Sequence, residues 1–444
     1  MTISRQTITV LTLLLLVGYA VMGLEQTANR ETLPNKVTVT YWSGWTGDEA
    51  ETQRKVIRDF NNSQDKIFVK FLSISGLRSK ALLSINGGMP PDIFHTEETD
   101  IASFADANAL EDLLPMATRD GIKRSDYIPI YWDLLSYDGK LCGMPMTPVS
   151  TAMHYNRKFL PPNVQNASQA PKTIEELDAL VDKISKKRPD GSLELAGFLP
   201  GEPGWWKWAW GYFFGGRLYD EKTQKLTINS PENIRAFDWV GSYAKRFGVS
   251  QVQTFQSGFG NFASPQNAFM GNKVASVLQG VWMANFIHLF NPKMDWFAAP
   301  FPIPSDRPDL EGANVVGIDA ILIPKGAKHV DAAWEFIRYQ QTQKAMEKLC
   351  AGQSKHSPLA KVSEEFFQLH SNKEIRLFDR LARSKNPITA PKLGIWPQVA
   401  DELSNALTEI NLGKKSSKQA LTEVQNRMQP LLDKYLIYVG KKKP

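Results

Sequence analysis

From Val37 to Phe94 the sequence alternates segments with the two-residue period of a strand and segments with the spacing of a helix. The pieces are KVTVTYW, GDEAETQRKVIRDFNN, KIFVKFL, GLRSKALLSINGG and PPDIF. Such alternation is typical of an α/β protein, in which helices cover a parallel sheet. Ligands bind these sheets beyond the carboxyl ends of the strands. The loops SGWTG and HTEETD, after the first and third strands, are therefore expected to border a binding site.

The chain is long enough for two cores. It has 444 residues, of which 42% are hydrophobic and 22% charged, and a single compact core of this length is unusual. The formal net charge is +6, but the Lys and Arg residues are scattered and the sequence shows no nucleic-acid-binding motif. We therefore interpret the charge as a solvated basic surface and expect no nucleic acid as partner.

The N-terminal segment indicates export. Residues 1–24 combine Arg5 with an uncharged apolar run from Ile8 to Leu24, which is the pattern of a secretory signal peptide. The run is also nearly long enough to stay in the bilayer as an anchor, and no Cys stands at its end to carry a lipid. We expect an exported, periplasmic or extracytoplasmic protein in which residues 25–36 form a linker. Whether the segment is cleaved or tethers the protein stays open.

Cysteine and histidine usage gives no sign of a metal site. Cys142 and Cys350 are the 2 cysteines of the chain, and export would permit a disulfide; the sequence leaves open whether either residue forms one. Neither a Cys-x-x-Cys nor a His-Glu-x-x-His spacing occurs, and the 6 His are dispersed. The sequence therefore predicts no metal and no cofactor.

Two local predictions concern the middle of the chain. Pro145 and Pro148 are expected to keep the extended run LCGMPM out of the centre of a sheet, because proline cannot donate to a ladder. The segment KTIEELDALVDKISKK is predicted to be a helix with Thr173 as its N-cap and Glu176 as the partner in a capping box.

Several segments occur in a characteristic order: YWSGWTGDE, GGMPPDIF, YDGKLCGMPMTPVSTAMHYN, PKTIEELDAL, FFGGRLYD, NAFMGNKVASVLQGVW and NLGKKSSKQAL. This order, from Val37 to Leu432, resembles the family 1 extracellular solute-binding proteins of ABC importers. The resemblance implies two α/β lobes joined by crossing segments, with a cleft that captures a sugar or related solute. It further implies delivery to membrane permease subunits with an associated ATPase, action as a monomer, and no catalysis.

The resemblance also implies where the lobes divide. One lobe would hold residues 37–147 and 302–324, and the other residues 148–301 and 325–440. By the same comparison Cys142 would belong to the first lobe and Cys350 to the second.

Tryptophan is concentrated in the segment WWKWAW, which holds four of the 12 tryptophans. A sugar presents an apolar face that stacks on an aromatic ring. On a helix Trp205 and Trp208 would share one row and Trp206 and Trp210 the next, so both rows cannot face the same way. We expect one row to pack in the core and Trp205 or Trp206 to stack on the ligand. Further candidates for stacking are Trp45, Trp282 and Trp396.

Polar candidates lie at the expected strand ends and crossings. The Glu97 carboxylate is expected to accept hydrogen bonds from sugar hydroxyls; alternatively, Glu97 and Glu98 are solvated loop charges. Asp319 begins an apolar strand and either faces the cleft or caps the strand. Gly280 and Gly317 would let backbone amides approach the ligand. The hydroxyls expected to donate to the ligand are those of Ser43, Thr46, Ser150 and Thr151.

The identity of the ligand stays open. Val149 stands where maltose-binding relatives place a glutamate before the YN pair, so an identical maltodextrin site is in doubt. An oligosaccharide, a glycosylated polyol and a glycerol phosphate all fit the family. Two other functions remain as alternatives. One is a secreted carbohydrate-active enzyme, which would use two of several clustered carboxylates, and the other is a polysaccharide adhesin.

Overall fold

A computed structural model describes residues 36–260 and 264–442. The predicted signal segment and the predicted linker, apart from Lys36, lie outside the described residues. Of the helices in these two ranges, none is both long enough and apolar enough to cross a membrane.

The described strands form a mixed sheet of eight strands and three two-stranded ribbons. Neighbours in the large sheet follow the order β11, β6, β13, β3, β1, β2, while β12 also pairs with β6 and β14 with β13. The bounds are β1 Val37–Ser43, β2 Ile67–Ser73, β3 Ile93–Glu97, β4 Ser136–Tyr137, β5 Lys140–Leu141, β6 Met144–Asn156, β7 Lys186–Lys187, β8 Leu193–Leu195, β9 Tyr219–Asp220, β10 Lys225–Leu226, β11 Ser276–Gly280, β12 Trp296–Ala299, β13 Asn314–Leu322 and β14 Pro387–Ile388.

Helices connect the strands and form most of the C-terminal part of the described chain. Their bounds are α1 Gly47–Ser63, α2 Leu77–Asn86, α3 Ile101–Asp106, α4 Leu114–Arg119, α5 Pro129–Leu135, α6 Ile174–Ile184, α7 Trp210–Phe213, α8 Pro231–Phe247, α9 Val249–Ser257, α10 Met283–Phe290, α11 Val330–Gln340, α12 Gln343–Gly352, α13 Glu364–Leu369, α14 Ile375–Ala382, α15 Trp396–Asn411 and α16 Ser417–Tyr438.

The first three strands confirm the predicted alternation of strand and helix. β1 pairs in parallel with both β2 and β3, and α1 and α2 form the connections. The apolar face of α1, with Val56, Ile57 and Phe60, is buried, which is the burial that an amphipathic helix needs in order to be stable beside a sheet.

The predicted start of α6 is also confirmed. Thr173 Oγ1 accepts a hydrogen bond from the Glu176 N–H at 3.1 Å, and the Glu176 carboxylate accepts one from the Thr173 N–H at 3.3 Å. These reciprocal bonds satisfy two of the N–H groups that a helix leaves unpaired at its start.

The long strand β6 has different partners along its length. It pairs with β13 from Met144 to Ser150, and with β11 and β12 from Thr151 to Asn156. The prediction that Pro145 and Pro148 keep this run out of the sheet centre is confirmed, because among the described strands this part of β6 is paired on one side only. Both prolines lie in the part of β6 for which β13 is the one described partner, so a missing N–H is tolerated there.

Buried apolar residues form two cores. The first core takes its members mainly from residues 39–152 and 316–382, and the second core mainly from residues 153–301 and 388–436. The division at β6 agrees with a crossing between lobes near residue 150.

The C-terminal half divides differently from the prediction, which gave all of residues 325–440 to the second lobe. Phe336 of α11 packs against Tyr41 and Phe60, with ring centroids 6.0 and 5.2 Å apart. The buried residues of α11 to α14 accordingly belong to the first core. Cys350 lies on α12 and shares the first core with Cys142, and both cysteines are free thiols.

Truncation of a core tryptophan tests the second core. Trp210 is 5% exposed and contacts Trp239 and Phe301, so Trp210→Ala should lower the free energy of unfolding by about 3–5 kcal/mol. Tyr438 is 85% exposed and provides the control. Tyr438→Ala should change the free energy of unfolding by less than about 0.5 kcal/mol. Urea unfolding followed by circular dichroism provides the comparison. Equal effects of the two substitutions would contradict this packing.

Candidate functional site

A buried group of charged and polar side chains lies where β3, β6 and β13 meet. Asp319 of β13 is directly opposite Glu97 of β3 in the antiparallel register, so the two side chains share one face of the sheet. On its other side the register of β13 shifts against β6 at this same residue. The β6 residues at the irregularity are Met146 and Thr147, and such bulges often redirect side chains beside a site.

Lys355 occupies the centre of this group. Its ammonium donates to Thr147 Oγ1 at 3.0 Å and to Asp319 Oδ2 at 3.2 Å, and it forms an ion pair with Glu49 Oε1 at 3.2 Å. The Lys355 side chain is 4% exposed. Because an ammonium has three N–H groups, these three oxygen atoms satisfy it completely.

Hydrogen bonds extend this arrangement to the loop after β1. Asp319 Oδ2 also accepts from Thr147 Oγ1 at 2.7 Å, and Asp319 Oδ1 lies 3.1 Å from His95 Nε2. Ser43 Oγ lies 3.3 Å from His95 Nδ1 and accepts from the Trp45 N–H at 3.1 Å. The indole of Trp45 packs on the His95 ring with centroids 4.4 Å apart.

The pairing keeps both buried charges ionised. Desolvation would raise the pKa of Asp319, but attraction to Lys355 and the bonds from His95 and Thr147 outweigh it and hold that pKa below its usual range. Desolvation would lower the pKa of Lys355, but attraction to Asp319 and Glu49 raises it above its usual value. In the described chain no group of three or more His, Cys, Asp or Glu side chains is placed to hold a metal ion.

Two tryptophan rings lie close to the ammonium. Lys355 Nζ is 5.5 Å from the ring centroid of Trp45 and 5.7 Å from that of Trp282, which is within cation–π range. Trp282 in turn contacts Trp205 and Trp206, with centroids 5.8 and 6.0 Å apart. We call Trp205, Trp206 and Trp282 the tryptophan triad. Trp206 packs against the second core and Trp282 against the first, so the triad lies where the two cores meet.

The segment WWKWAW is not the single helix on which the two predicted rows depended. Trp205 and Trp206 precede a 3₁₀ turn, Lys207–Ala209, and α7 begins only at Trp210. Trp208 and Trp210 are buried in the second core, whereas Trp205 and Trp206 are partly exposed. The predicted division by rows is therefore wrong, because one member of each row is buried; the expectation that Trp205 and Trp206, nearest the loop, are the less buried pair agrees with the structure.

Two carboxyl groups of this region form no side-chain hydrogen bond or ion pair with the described residues. Glu97 stays exposed, yet surrounding protein raises its pKa, first by desolvation and then by the nearness of Asp319 and Asp100. An exposed but desolvated group is expected on the wall of a cleft. Glu202, three residues before Trp205, has its pKa raised to about 7 by desolvation.

Several predicted site residues are used elsewhere. Ser150 Oγ donates to the carbonyl of Phe378 at 3.4 Å, and Thr151 Oγ1 accepts from the Val315 N–H at 2.9 Å. Both hydroxyls are therefore engaged within the buried sheet. Thr46 is exposed beside Trp45.

Trp396, predicted to stack on the ligand, is 3% exposed and packs edge-on against Trp208 at 5.3 Å. It belongs to the second core because it begins α15, which packs in that core. The structure does not place it with the tryptophan triad.

The two predicted glycines make room for side chains. A Cβ on Gly280 would lie 2.4 Å from the Trp282 ring, and one on Gly317 would lie 2.7 Å from the Glu98 carboxylate. Glu98 accepts a hydrogen bond from the Ile318 N–H at 2.9 Å, and desolvation raises its pKa to about 8. Any larger residue would displace the triad or this carboxyl group.

Sequence reasoning missed Lys355, His95, Thr147 and Glu49, and it missed Glu202. An acidic residue in the turn GEPG before two tryptophans is a signal that could have been read. Lys355 follows α12 in an irregular polar segment, and its burial depends on contacts with residues distant in sequence, so no local pattern reveals it.

The family of the chain follows from comparison with known proteins. The sequence profile of the bacterial extracellular solute-binding proteins matches residues 55–374. The chain therefore belongs to this family, as the sequence resemblance predicted.

Individual relatives are distant. The chain is 22% identical over 305 residues to the maltotriose-binding protein of Pyrococcus abyssi, a match that covers 68% of this chain and 62% of that relative. It is 23% identical over 352 residues to the arabinooligosaccharide-binding protein of Bacillus subtilis, covering 76% of each. The sugar-binding protein MalE of Xanthomonas citri superposes with a TM-score of 0.75 at 22% identity, over 91% of this chain and 100% of that one. This likeness confirms the two-lobed α/β fold.

Removal of the buried ammonium tests the charge arrangement. Lys355→Met should leave Asp319 buried without its main partner and lower the free energy of unfolding by about 3–5 kcal/mol at pH 7. Pairing lowers the pKa of Asp319 in the folded protein. The stability that the ionised Asp319 contributes is therefore present above about pH 4, and it is lost as the pH falls through the pKa that Asp319 has in the folded state. The difference in free energy of unfolding between wild type and Lys355→Met should therefore become smaller below about pH 4.

An exposed pair provides the control. Lys348 pairs with Asp59 and is 42% exposed, so Lys348→Met should change stability by no more than about 1 kcal/mol. Urea unfolding at several pH values measures both variants. If Lys355→Met is as mild as Lys348→Met, Lys355 does not hold a buried charge.

Proposed function

We propose that this chain is the substrate-binding component of an ABC importer. It captures a sugar or a related solute between its two lobes and delivers it to membrane permease subunits that work with an ATPase. The observation that carries the proposal is the tryptophan triad, which lies between the two cores and connects through Lys355 to Asp319 and Glu97.

The chemistry of this region fits a saccharide. Indole rings offer apolar surfaces for the C–H faces of sugar rings, and Glu97 and Glu202 are acceptors for hydroxyl groups at their edges. The names of two relatives, which bind maltotriose and arabinooligosaccharides, support the same class of ligand. In this proposal the contacting residues are the triad, Glu97 and Glu202, while Ser43, Trp45, Asp319 and Lys355 position them.

Lobes that follow the two cores would allow the cleft to close. In this proposal one lobe comprises residues 39–152 and 316–382, and the other residues 153–301 and 388–436. The protein acts outside the cytoplasm as a monomer and binds its ligand without chemical change. Turnover of labelled oligosaccharides would favour the carbohydrate-active enzyme, and binding without closure in small-angle scattering would favour the adhesin.

A sugar library screened by thermal shift tests the proposal. A ligand present at 100 times its dissociation constant should stabilise the protein by about 2.7 kcal/mol. In calorimetric titration of that ligand, Trp205→Ala and Trp206→Ala should each weaken binding by about 1–3 kcal/mol, because each removes a surface on which the sugar packs.

The matched control is Trp210→Ala, since Trp210 is a core residue of the same segment. At a temperature where this variant is folded, its affinity should stay within about threefold of wild type. The proposal fails if no saccharide stabilises the protein. The placement of the site fails if a saccharide binds and neither partly exposed tryptophan affects its affinity.

A further inference from the structure

At the candidate site the buried positive charge has all its hydrogen bonds made within the protein, whereas two carboxyl groups have none with the described residues. Lys355, the buried cation there, directs its three N–H groups to oxygen atoms of Thr147, Asp319 and Glu49. Its 4% exposure and the two indoles beside it leave no face of the ammonium for an anionic ligand. The positive charge at the centre of the site is therefore internal to the protein.

Two acidic groups of this region keep their hydrogen-bonding capacity. Glu97 shares a face of the sheet with Asp319, and Asp319 and Asp100 both raise its pKa by their negative charge. Asp100 is already paired with Arg78 at 2.7 Å. Glu97 itself makes no side-chain hydrogen bond within the described chain.

Glu202 adds a second such carboxyl group from the other core. It lies on the loop that leads into Trp205 and Trp206, and desolvation is the one cause that raises its pKa. Lys207, the nearest cation along the chain, does not counter that shift. A ligand on the triad would thus meet acceptor groups from the sheet, at Glu97, and from the loop before Trp205, at Glu202.

From this distribution we infer that the site selects uncharged saccharides and rejects those that carry uronic acid groups. The inference rests on the proposed function and narrows its ligand class. Hydroxyl groups donate to Glu97 and Glu202 and satisfy them. A ligand carboxylate supplies no donor, and it would be held beside the desolvated carboxyl groups of Glu97 and Glu202 while the ammonium of Lys355 is already satisfied. This juxtaposition opposes binding.

The test compares each neutral trisaccharide with its uronate counterpart. Maltotriose, cellotriose and mannotriose are each paired with the product of oxidation at C6, which changes only CH₂OH to COO⁻. Calorimetric titration of the full chain at pH 7.5 and low salt should show that at least one neutral sugar binds and that its uronate binds at least tenfold more weakly. Added salt should reduce the difference in affinity between the neutral sugar and its uronate, because salt screens charge repulsion.

Variants separate charge from size. In the double variant Glu97→Gln, Glu202→Gln the ratio of the two affinities should fall at least threefold, even where both ligands bind less tightly. Glu194→Gln is the matched control, since Glu194 is exposed on β8, and it should leave the ratio unchanged.

Three results would overturn the inference. A uronate that binds as tightly as its neutral counterpart contradicts it while leaving sugar capture intact. An affinity ratio that the double variant leaves unchanged shows that size and not charge sets the discrimination. If neither a neutral sugar nor a uronate binds, the proposed function itself fails and the inference fails with it.

Discussion

The pairing of β6 with β13 is the constraint on which the rest of the structure depends. β6 begins among residues of the first core, at Met144 and Met146, and ends among those of the second, at Met153 and Tyr155. Its ladder of backbone hydrogen bonds with β13 therefore sets how the two cores meet. The irregularity opposite Asp319 places a charged side chain at that junction, where a regular strand of this sheet would continue with apolar residues.

A charge in that position needs several partners. Burial of an ion pair is costly in free energy and is tolerated only when its geometry is good and its remaining hydrogen bonds are made. Asp319 and Lys355 meet this condition through Thr147, His95 and Glu49. Side chains fixed in this way give rigid surroundings to Trp45 and Trp282, and a rigid site loses less entropy when a ligand binds. We regard the buried network as the support of the ligand surface and the tryptophan triad as that surface.

The sequence predicted the features that depend on neighbours along the chain. The strands and helices from Val37 to Glu97 follow hydrophobic periods that short segments carry, and the capping box at Thr173 is complete within four residues. Features that depend on distant neighbours were not predicted. Nothing in α11 shows that Phe336 packs on Tyr41.

The residues of the candidate site also fall into those that the local sequence predicts and those that depend on distant neighbours. Trp45 and Glu97 were predicted because they stand at strand ends, and Trp205 and Trp206 because tryptophans cluster beside a turn. Asp319 was predicted as a charge at the start of an apolar strand, but it lies inside β13. Trp396 was misplaced because its sequence position, at the start of a helix, does not show which side of the helix packs in a core. Lys355 was missed because its partners come from α1, β6 and β13, and only the fold brings these elements together.

A crystal structure of the complex tests the central claim, that solute binds between the two cores on the tryptophan triad. The protein should be crystallised with the saccharide that stabilises it most. We predict a sugar ring stacked on at least one indole of the triad, with a hydroxyl within hydrogen-bond distance of Glu97. A sugar held instead in the polar surface pocket bordered by Asn156, Asn272 and Asn291, with the triad free of ligand, would contradict the account.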